Sequence, residues 1–175
     1  MSELSPMDRP TPFEIRAARR DDVPVVHALI RALADFEKLT HLCVTTEADI
    51  FDALFGNKPA YEVVLAWEGP DAVGFALFFH NFSTFLGRPG LYLEDLFVQP
   101  AWRGRGYGRA LLIHLARIAV ERRCGRFEWA VLDWNATAIG FYQALGASVL
   151  PDWRITRVTG PALDHLAAQA LFSDK

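Results

Sequence analysis

The residue types able to do chemistry concentrate in one stretch, Leu91–Arg109, LYLEDLFVQPAWRGRGYGR. It begins as the apolar run LYLEDLFV, hydrophobic on both alternating faces, the pattern of a strand covered on both sides. Gln99-Pro100 ends that run, because proline brings no N–H to a ladder. Arg103, Gly104, Arg105, Gly106 and Gly108 follow, and a helical pattern starts directly after them. A strand, a short basic glycine turn and a helix start together make an anion site. Unpaired backbone N–H groups converge there, the helix dipole is positive there, and glycines let a phosphate come close. Two carboxylates, Glu94 and Asp95, interrupt the apolar run. Adjacent strand residues point to opposite faces, and a buried charge without a partner costs several kcal/mol. Each carboxylate either pairs with an arginine or caps a loop, or the two line a cleft that accepts a cation.

The surrounding elements follow from periodicity. FEIRAA (13–18) alternates as a first strand. Asp21 is a candidate N-cap with Pro24 in the first turn. Val26, Leu29, Ile30 and Leu33 then recur at helical spacing, so 22–38 is expected to be an amphipathic helix ending at Phe36-Glu37-Lys38. His27 lies off that stripe, on the solvated face. Thr46-Glu47-Ala48-Asp49 resembles a capping box and opens a second helix to about Phe55. AYEVVLAWE (60–68) and Ala72–Phe82 are strand-like and joined by a Gly69-Pro70-Asp71 turn, a hairpin. Strand 91–98 and a helix over about 106–122 come next, with Leu111, Leu115, Ile118 and Ala119 inward. GRFEWAVL (125–132) is another strand, so strand, helix and strand form a parallel pair with a right-handed crossover. Ligands bind at the carboxyl ends of such strands, where Arg103–Gly108 and Asp133-Trp134-Asn135 both fall. Asn135 caps a short helix that Gly146 ends as the C′ residue. Tyr142 lies on it, one turn beyond Ala138. ASVL and WRITRVT suggest two closing strands, and Gly160-Pro161 starts a last helix.

Composition narrows the classes. The chain has 175 residues, 51% hydrophobic and 22% charged, which is globular and sufficient for one domain with a sizeable core. Residues 1–11 are expected to be a flexible tail and 12–175 a single domain. A net charge of −3 argues against a broad nucleic-acid surface. The N-terminus lacks the apolar core of a signal peptide, and no apolar run reaches membrane-spanning length. Cys43 and Cys124 have no CxxC spacing and suit reduced thiols in a cytoplasmic protein. The five histidines are scattered, without HExxH or paired ligand spacing, so no metal is expected. Phe78, Phe79, Phe82, Phe85 and Leu86 make one connection unusually aromatic, which serves either core packing or a second subunit.

The glycine turn has three rival readings. A P-loop needs GxxxxGK[ST], and no Lys-Ser or Lys-Thr is present. A dinucleotide fingerprint needs GxGxxG, but Arg109 stands in place of the third glycine, although Glu128 lies about twenty residues on. The third is a coenzyme A diphosphate cradle, [Q/R]xxGxG at a helix start, here Arg103-x-x-Gly106-x-Gly108.

With LYLEDLFV, the RGRGYG turn, LDWNATAIGFYQALGA at 132–147 and ADFE at 34–37, the chain resembles the GCN5-related N-acetyltransferase family, and within it the diamine (spermidine/spermine) branch. The element order matches along about residues 13–158. The resemblance implies an α/β fold, a splayed mixed sheet flanked by helices, whose strands 91–98 and 125–132 part at their ends. It implies acetyl-CoA as co-substrate. The pantetheine would pair with backbone of Leu96, Phe97 and Val98. The diphosphate would lie on Gly104, Arg105, Gly106, Tyr107, Gly108 and Arg109, with Arg103 opening the motif, and Asn135 and Ala138 would touch the coenzyme. Tyr142 matches the family's proton donor to the departing thiolate, and Glu94 and Tyr142 would be the catalytic residues. Phe36, Glu37, Glu94 and Asp95 would bind the amine, with Asp152 as a stand-in for an acidic residue that the branch carries before its Trp-Arg. A homodimer is implied as well. The branch's tyrosine before Glu37 is Phe36 here, and Pro151-Asp152-Trp153-Arg154 is shorter than its counterpart.

These residue types suit acetyl transfer to an amine. An alkylamine with pKa about 10.4 is protonated at pH 7, and freeing it costs about 4.6 kcal/mol. An acidic wall attracts the cation, and Glu94, directly or through water, relays the proton. The acceptor is expected to be a small diamine, polyamine or lysine-like amine. The alternatives are a protein N-terminus, a protein lysine or an aminoglycoside, or a non-catalytic acyl-CoA-binding module.

Overall fold

The computed structural model describes residues 12–169, which fall into two compact units, one ending at Ala130 and the other beginning at Val131. The tail expected over 1–11 lies outside the described residues.

In the first unit, five strands among the described residues form one sheet in the order β1-β2-β3-β4-β5: β1 Phe13–Ala17, β2 Glu62–Glu68, β3 Asp71–Ser83, β4 Arg88–Val98 and β5 Arg126–Trp129. The first four are antiparallel neighbours and β4–β5 is parallel. Helices α1 (Val23–Phe36) and α2 (Glu47–Phe55) lie between β1 and β2, and α3 (Tyr107–Glu121) makes the crossover from β4 to β5. Alternation in the strands builds two cores. Val63, Leu65, Phe75, Leu77 and Phe97 pack with Val26, Leu29, Leu33, Ile50 and Leu54 of α1 and α2. The intervening Val64, Ala66, Ala76 and Phe78 are also buried. The buried Leu111, Leu115 and Ala119 of α3 cover that opposite face.

Two local signals behave as their sequences predict. Thr46 Oγ1 accepts from the Asp49 N–H, while Asp49 accepts from the Thr46 N–H at 2.8 Å, a reciprocal box that starts α2. At the start of α1 the cap position is Asp22 rather than Asp21. Its carboxylate is turned back to a bidentate pair with Arg16 of β1, at 2.6 and 3.0 Å, and to the Arg19 N–H at 2.7 Å. That pair fixes where α1 leaves the sheet. α1 ends in a Schellman motif, with Leu39 N–H on Ala34 O and Lys38 N–H on Asp35 O. The C′ residue is Lys38 at φ 62, a left-handed position that usually takes glycine.

β4 departs from a simple strand. Phe78 pairs with Leu93, yet its neighbour Leu77 pairs with Asp95, so Glu94 is an extra residue, a β-bulge. Residues facing each other across a ladder share a face. Leu93 therefore lies on the α3 face with Phe78, and Asp95 on the α1–α2 face with Leu77. The bulge, not alternation, separates the two carboxylates from the run before them. The parallel ladder to β5 covers only Gly90–Leu93 with Arg126–Trp129. Beyond it, Glu94–Val98 has no strand on its outer edge among the described residues.

The second unit carries α4 (Ala136–Ala144) and α5 (Pro161–Ala167). Asn135 Oδ1 accepts from Ala138 N–H at 3.1 Å and caps α4. Gly146 at φ 93 closes it, with Ala147 N–H on Tyr142 O and Gly146 N–H on Gln143 O. The two closing strands expected from ASVL and WRITRVT are absent: these residues join no ladder among those described, and β5 stops at Trp129 instead of 132. A period-two pattern supplies the side chains of a strand but not the neighbour that hydrogen-bonds it, and Pro151 breaks the run between them.

Asp22 is 7% exposed, and Arg16 holds its carboxyl below the usual carboxylate range. Asp22→Ala should cost about 2 kcal/mol, lowering Tm by roughly 4–8 °C at pH 7 in thermal unfolding. A depressed carboxyl stabilises above its unfolded pKa, so the difference from wild type should shrink as pH falls below the carboxylate range. An unchanged Tm at pH 7 would deny the pair that role.

Candidate active site

The glycine turn lies between β4 and α3. Pro100–Trp102 forms a short 3-10 turn, and Arg103 leaves it in an extended conformation. Gly104 (φ 78) and Gly106 (φ 86) are both left-handed, and a Cβ at either would meet nothing within 4 Å. The turn therefore needs glycine for its dihedrals, and its surface is open. Gly106 is the N-cap of α3. Among the described residues, the amides of Gly104, Arg105, Gly106, Tyr107, Gly108 and Arg109 donate to no backbone or side-chain acceptor. Six N–H groups around an open, left-handed turn at the positive end of a 15-residue helix are the donor set that a diphosphate requires.

The aromatic and basic side chains of the turn hold it in place. Tyr107 stacks on Phe13 of β1 with centroids 4.7 Å apart and leans on Trp102 at 6.5 Å. Arg105 lies 4.8 Å over the Trp102 ring and 3.5 Å from Glu68. Arg103 turns the other way. Its Nε donates to Val98 O at 2.9 Å, and its guanidinium lies 4.2 Å over Phe36 and 5.6 Å from Phe97. What the turn offers an anion is thus backbone donors, with Arg103 and Arg105 engaged by aromatic faces.

At the end of α1, Phe36 is 44% exposed and is followed by Glu37, the C-cap. Phe36 and Phe97 are 6.3 Å apart. Burial raises the Glu37 carboxyl above its ordinary value. Burial, reinforced by Glu94 and Glu37, pushes the Asp95 carboxyl up to about 6. Glu94, at the bulge, is exposed. The structure therefore brings Glu37, Glu94 and Asp95 into one electrostatic group, although Glu37 is more than fifty residues away in the chain. A carboxylate destabilised by burial and by like charges is one that a cation would relieve. Among the described residues no group of three or more His, Cys, Asp or Glu is arranged to hold a metal.

One side chain of this group was not singled out in the sequence. Tyr61, just before β2, has its hydroxyl raised by burial first, then by Asp95 and Asp49. No local pattern marks it, since a tyrosine opening a strand reads as packing. Glu128, a ribose candidate under the dinucleotide reading, is instead 2.8 Å from Arg126 and accepts from Asn81 at 3.2 Å. That reading loses its acid.

The second unit carries the remaining candidates. Tyr142 is on α4, its ring 5.4 Å from Phe141, and burial raises its hydroxyl above the ordinary tyrosine value. Asn135 and Ala138 are bonded to each other in the α4 cap. Asp152 lies in an exposed turn.

Comparisons with known proteins agree with this geometry. The chain is 35% identical to an L-ornithine N5-acetyltransferase of Arabidopsis thaliana, over 94% of this chain and 92% of that protein. It is 36% identical to a thialysine N-epsilon-acetyltransferase of Bos taurus, over 89% and 97%. Among solved structures, an integron cassette protein from the mobile metagenome of V. cholerae superposes with a TM-score of 0.74 at 28% identity, covering 90% of this chain and 98% of that one. An aminoglycoside acetyltransferase from a soil metagenomic sample shares the fold at TM-score 0.73 and 18% identity, covering 84% and 95%. The model of the acetyltransferase (GNAT) family matches residues 26–147, so the chain belongs to that family of N-acetyltransferases.

Proposed function

We propose that this chain transfers the acetyl group of acetyl-CoA to the primary amine of a small cationic acceptor of the lysine, ornithine or diamine type. The observation that carries the proposal lies within the first unit: at the turn after β4, six amides that donate to no acceptor among the described residues and suit an anion, and, at the end of α1 and the β4 bulge, Glu37, Glu94 and Asp95, which suit a cation. The relatives named for ornithine and thialysine support an ω-amine of an amino acid within that class.

The residues fit the co-substrate. The amides from Gly104 to Arg109 would hold its diphosphate, and Leu96, Phe97 and Val98 lie on a stretch of β4 whose outer edge has no neighbouring strand among the described residues. Asn135 and Ala138 are further contacts in this reading. When bound, acetyl-CoA supplies an activated acetyl thioester. Phe36, Glu37 and Asp95 bind and orient the ammonium, with Asp152 as an outer carboxylate. Glu94, exposed at the bulge, accepts the amine proton directly or through water. Of the Phe97 and Val98 amides, the bond from Gln99 N–H to Val73 O puts that of Phe97 into the β3 ladder, so the outward N–H of Val98 stabilises the carbonyl oxygen as charge builds on it. Tyr142, kept protonated by burial, gives its proton to the departing thiolate.

A thiol-release assay with acetyl-CoA against ornithine, lysine, thialysine, putrescine and spermidine tests the activity directly. Tyr142→Phe should lower kcat about 10²-fold with little change in KM for acetyl-CoA. Glu94→Gln should lower kcat/KM for the amine and leave coenzyme binding intact. Wild-type turnover in either variant removes that residue from the mechanism.

Asp95 predicts the pH dependence. As pH falls through about 6 the wall loses a charge, so KM for the amine should rise, and Asp95→Asn should remove that inflection. The sign for stability is the reverse. A raised carboxyl is a penalty present above its folded pKa and absent below its unfolded one, so Asp95→Asn should raise Tm at pH 8 and not at pH 4. A pH-independent difference would contradict the assignment.

The same reading carries a cytoplasmic homodimer without a metal. The described residues contain no helix long and apolar enough to cross a membrane. Phe82, Phe85 and Leu86, all exposed at the β3–β4 connection, are the candidate contact. Sedimentation should give twice the chain mass, and Phe85→Glu should halve it; a monomeric wild type rules the dimer out.

A further inference from the structure

We propose that Lys38 is a specificity-determining residue, whose ammonium binds the α-carboxylate of an amino-acid acceptor and so selects ornithine- or lysine-like amines over diamines. The inference rests on the acetyl-transfer reading and deepens it, because that reading leaves amino acids and diamines in one class.

The two kinds of acceptor share the ω-ammonium and differ at the other end. A diamine ends in a second cation. An amino acid ends in a zwitterion, whose carboxylate needs a positive partner or strong donors. The acidic group accounts for the shared end only. Glu37, Glu94 and Asp95 suit an ammonium, and each of them repels a carboxylate. An amino acid therefore requires a cation beside that group which the group does not neutralise.

Lys38 meets the requirement. It follows Glu37 directly and is exposed. It forms no ion pair with a carboxylate among the described residues. Asp95 is pushed up by burial, Glu94 and Glu37, so the Lys38 charge is not taken up by the acidic wall. The arginines of the neighbouring turn are already engaged. Arg103 lies over Phe36 and donates to Val98 O, and Arg105 lies over Trp102 beside Glu68. A lysine carries a compact ammonium with three donors on a four-carbon stem, long enough to meet a carboxylate beyond Glu37.

The backbone gives the second reason. Lys38 has φ 62 and occupies the C′ position of the α1 cap. Its N–H donates to Asp35 O at 3.0 Å, and the next N–H, of Leu39, donates to Ala34 O at 2.8 Å. Glycine would satisfy the same two bonds without strain. A side chain kept where none is favoured points to a use for that side chain. The negative end of α1 also favours a cation there, but that interaction is indifferent to the acceptor.

Steady-state thiol release with L-ornithine, L-ornithinamide and putrescine tests this. Ornithinamide keeps both amines and lacks the carboxylate. Wild type should use L-ornithine better than L-ornithinamide by about 5-fold or more in kcat/KM, with the difference in KM. Lys38→Ala should bring that ratio near 1. It should also raise kcat/KM for putrescine, because a like charge facing the second ammonium is gone. Lys38→Glu should favour putrescine further, and Lys38→Arg should keep the preference for a carboxylate. Lys38→Gly should lose the discrimination while raising Tm by about 2–4 °C, which separates recognition from the helix cap. A wild type indifferent to the carboxylate overturns the proposal. So does a Lys38→Ala protein that still discriminates, or one that loses activity equally with all three amines, as a purely structural role would require. A wild type that releases no thiol with any amine overturns the acetyl-transfer reading instead, so the two failures are distinguishable.

Discussion

One surplus residue in β4 governs the arrangement. Because Glu94 has no opposite number in β3, the strand changes phase between Leu93 and Asp95. A register change of one residue exchanges the faces of everything beyond it. Upstream, Leu91 and Leu93 are buried on the α3 side; downstream, Asp95 and Phe97 are directed to the α1–α2 side. Without the bulge, Phe97 would leave the core that it shares with Phe75 and Leu77. Asp95 would leave the neighbourhood of Glu37. The parallel ladder to β5 also ends at Leu93, so among the described residues no strand pairs with the outer edge of the segment that carries the acidic residues.

Charge is partitioned around that segment. The turn after β4 offers amides and a helix N-terminus, both positive, and α1 and the bulge offer carboxylates. A net charge of −3 says nothing of this local separation. The two arginines nearest the turn are drawn off by ring faces, Arg105 over Trp102 and Arg103 over Phe36. The turn's donor set therefore depends on a backbone geometry that the left-handed Gly104 and Gly106 permit, and the acidic group depends on burial. Both suit a reaction whose co-substrate is an anion and whose acceptor arrives as a cation.

The structure stores strain beside the carboxylate group at the end of α1 and the β4 bulge. Lys38 sits left-handed at the end of α1, and Asp95 is held where its charged form is disfavoured. Each costs stability, and both belong to the neighbourhood of Glu37, Glu94 and Asp95. Elsewhere the local choices agree with the fold: the Thr46 box, the Asp22–Arg16 pair and the Gly146 cap carry no such conflict.

Features that depend on neighbours in the chain were readable from the residues alone. The Gly104–Gly106 turn, the Thr46–Asp49 box, the Asn135 cap and the Gly146 stop each involve groups within a few positions, so spacing specifies them. The order of strands and helices through β5 was readable for the same reason, since burial period and turn chemistry are local. What required the tertiary structure was set at a distance. The bulge exists only in the pairing of β3 with β4; the titration of Asp95 is a product of burial and of Glu37. Tyr61 acquires meaning only beside Asp95, and Arg103 was assigned to the anion because of where it stands in the motif, while its side chain follows the ring of Phe36. The closing strands expected after Gly146 failed on the same principle: an alternating pattern fixes which side chains would face which way, but a strand forms only where another backbone is present to bond it.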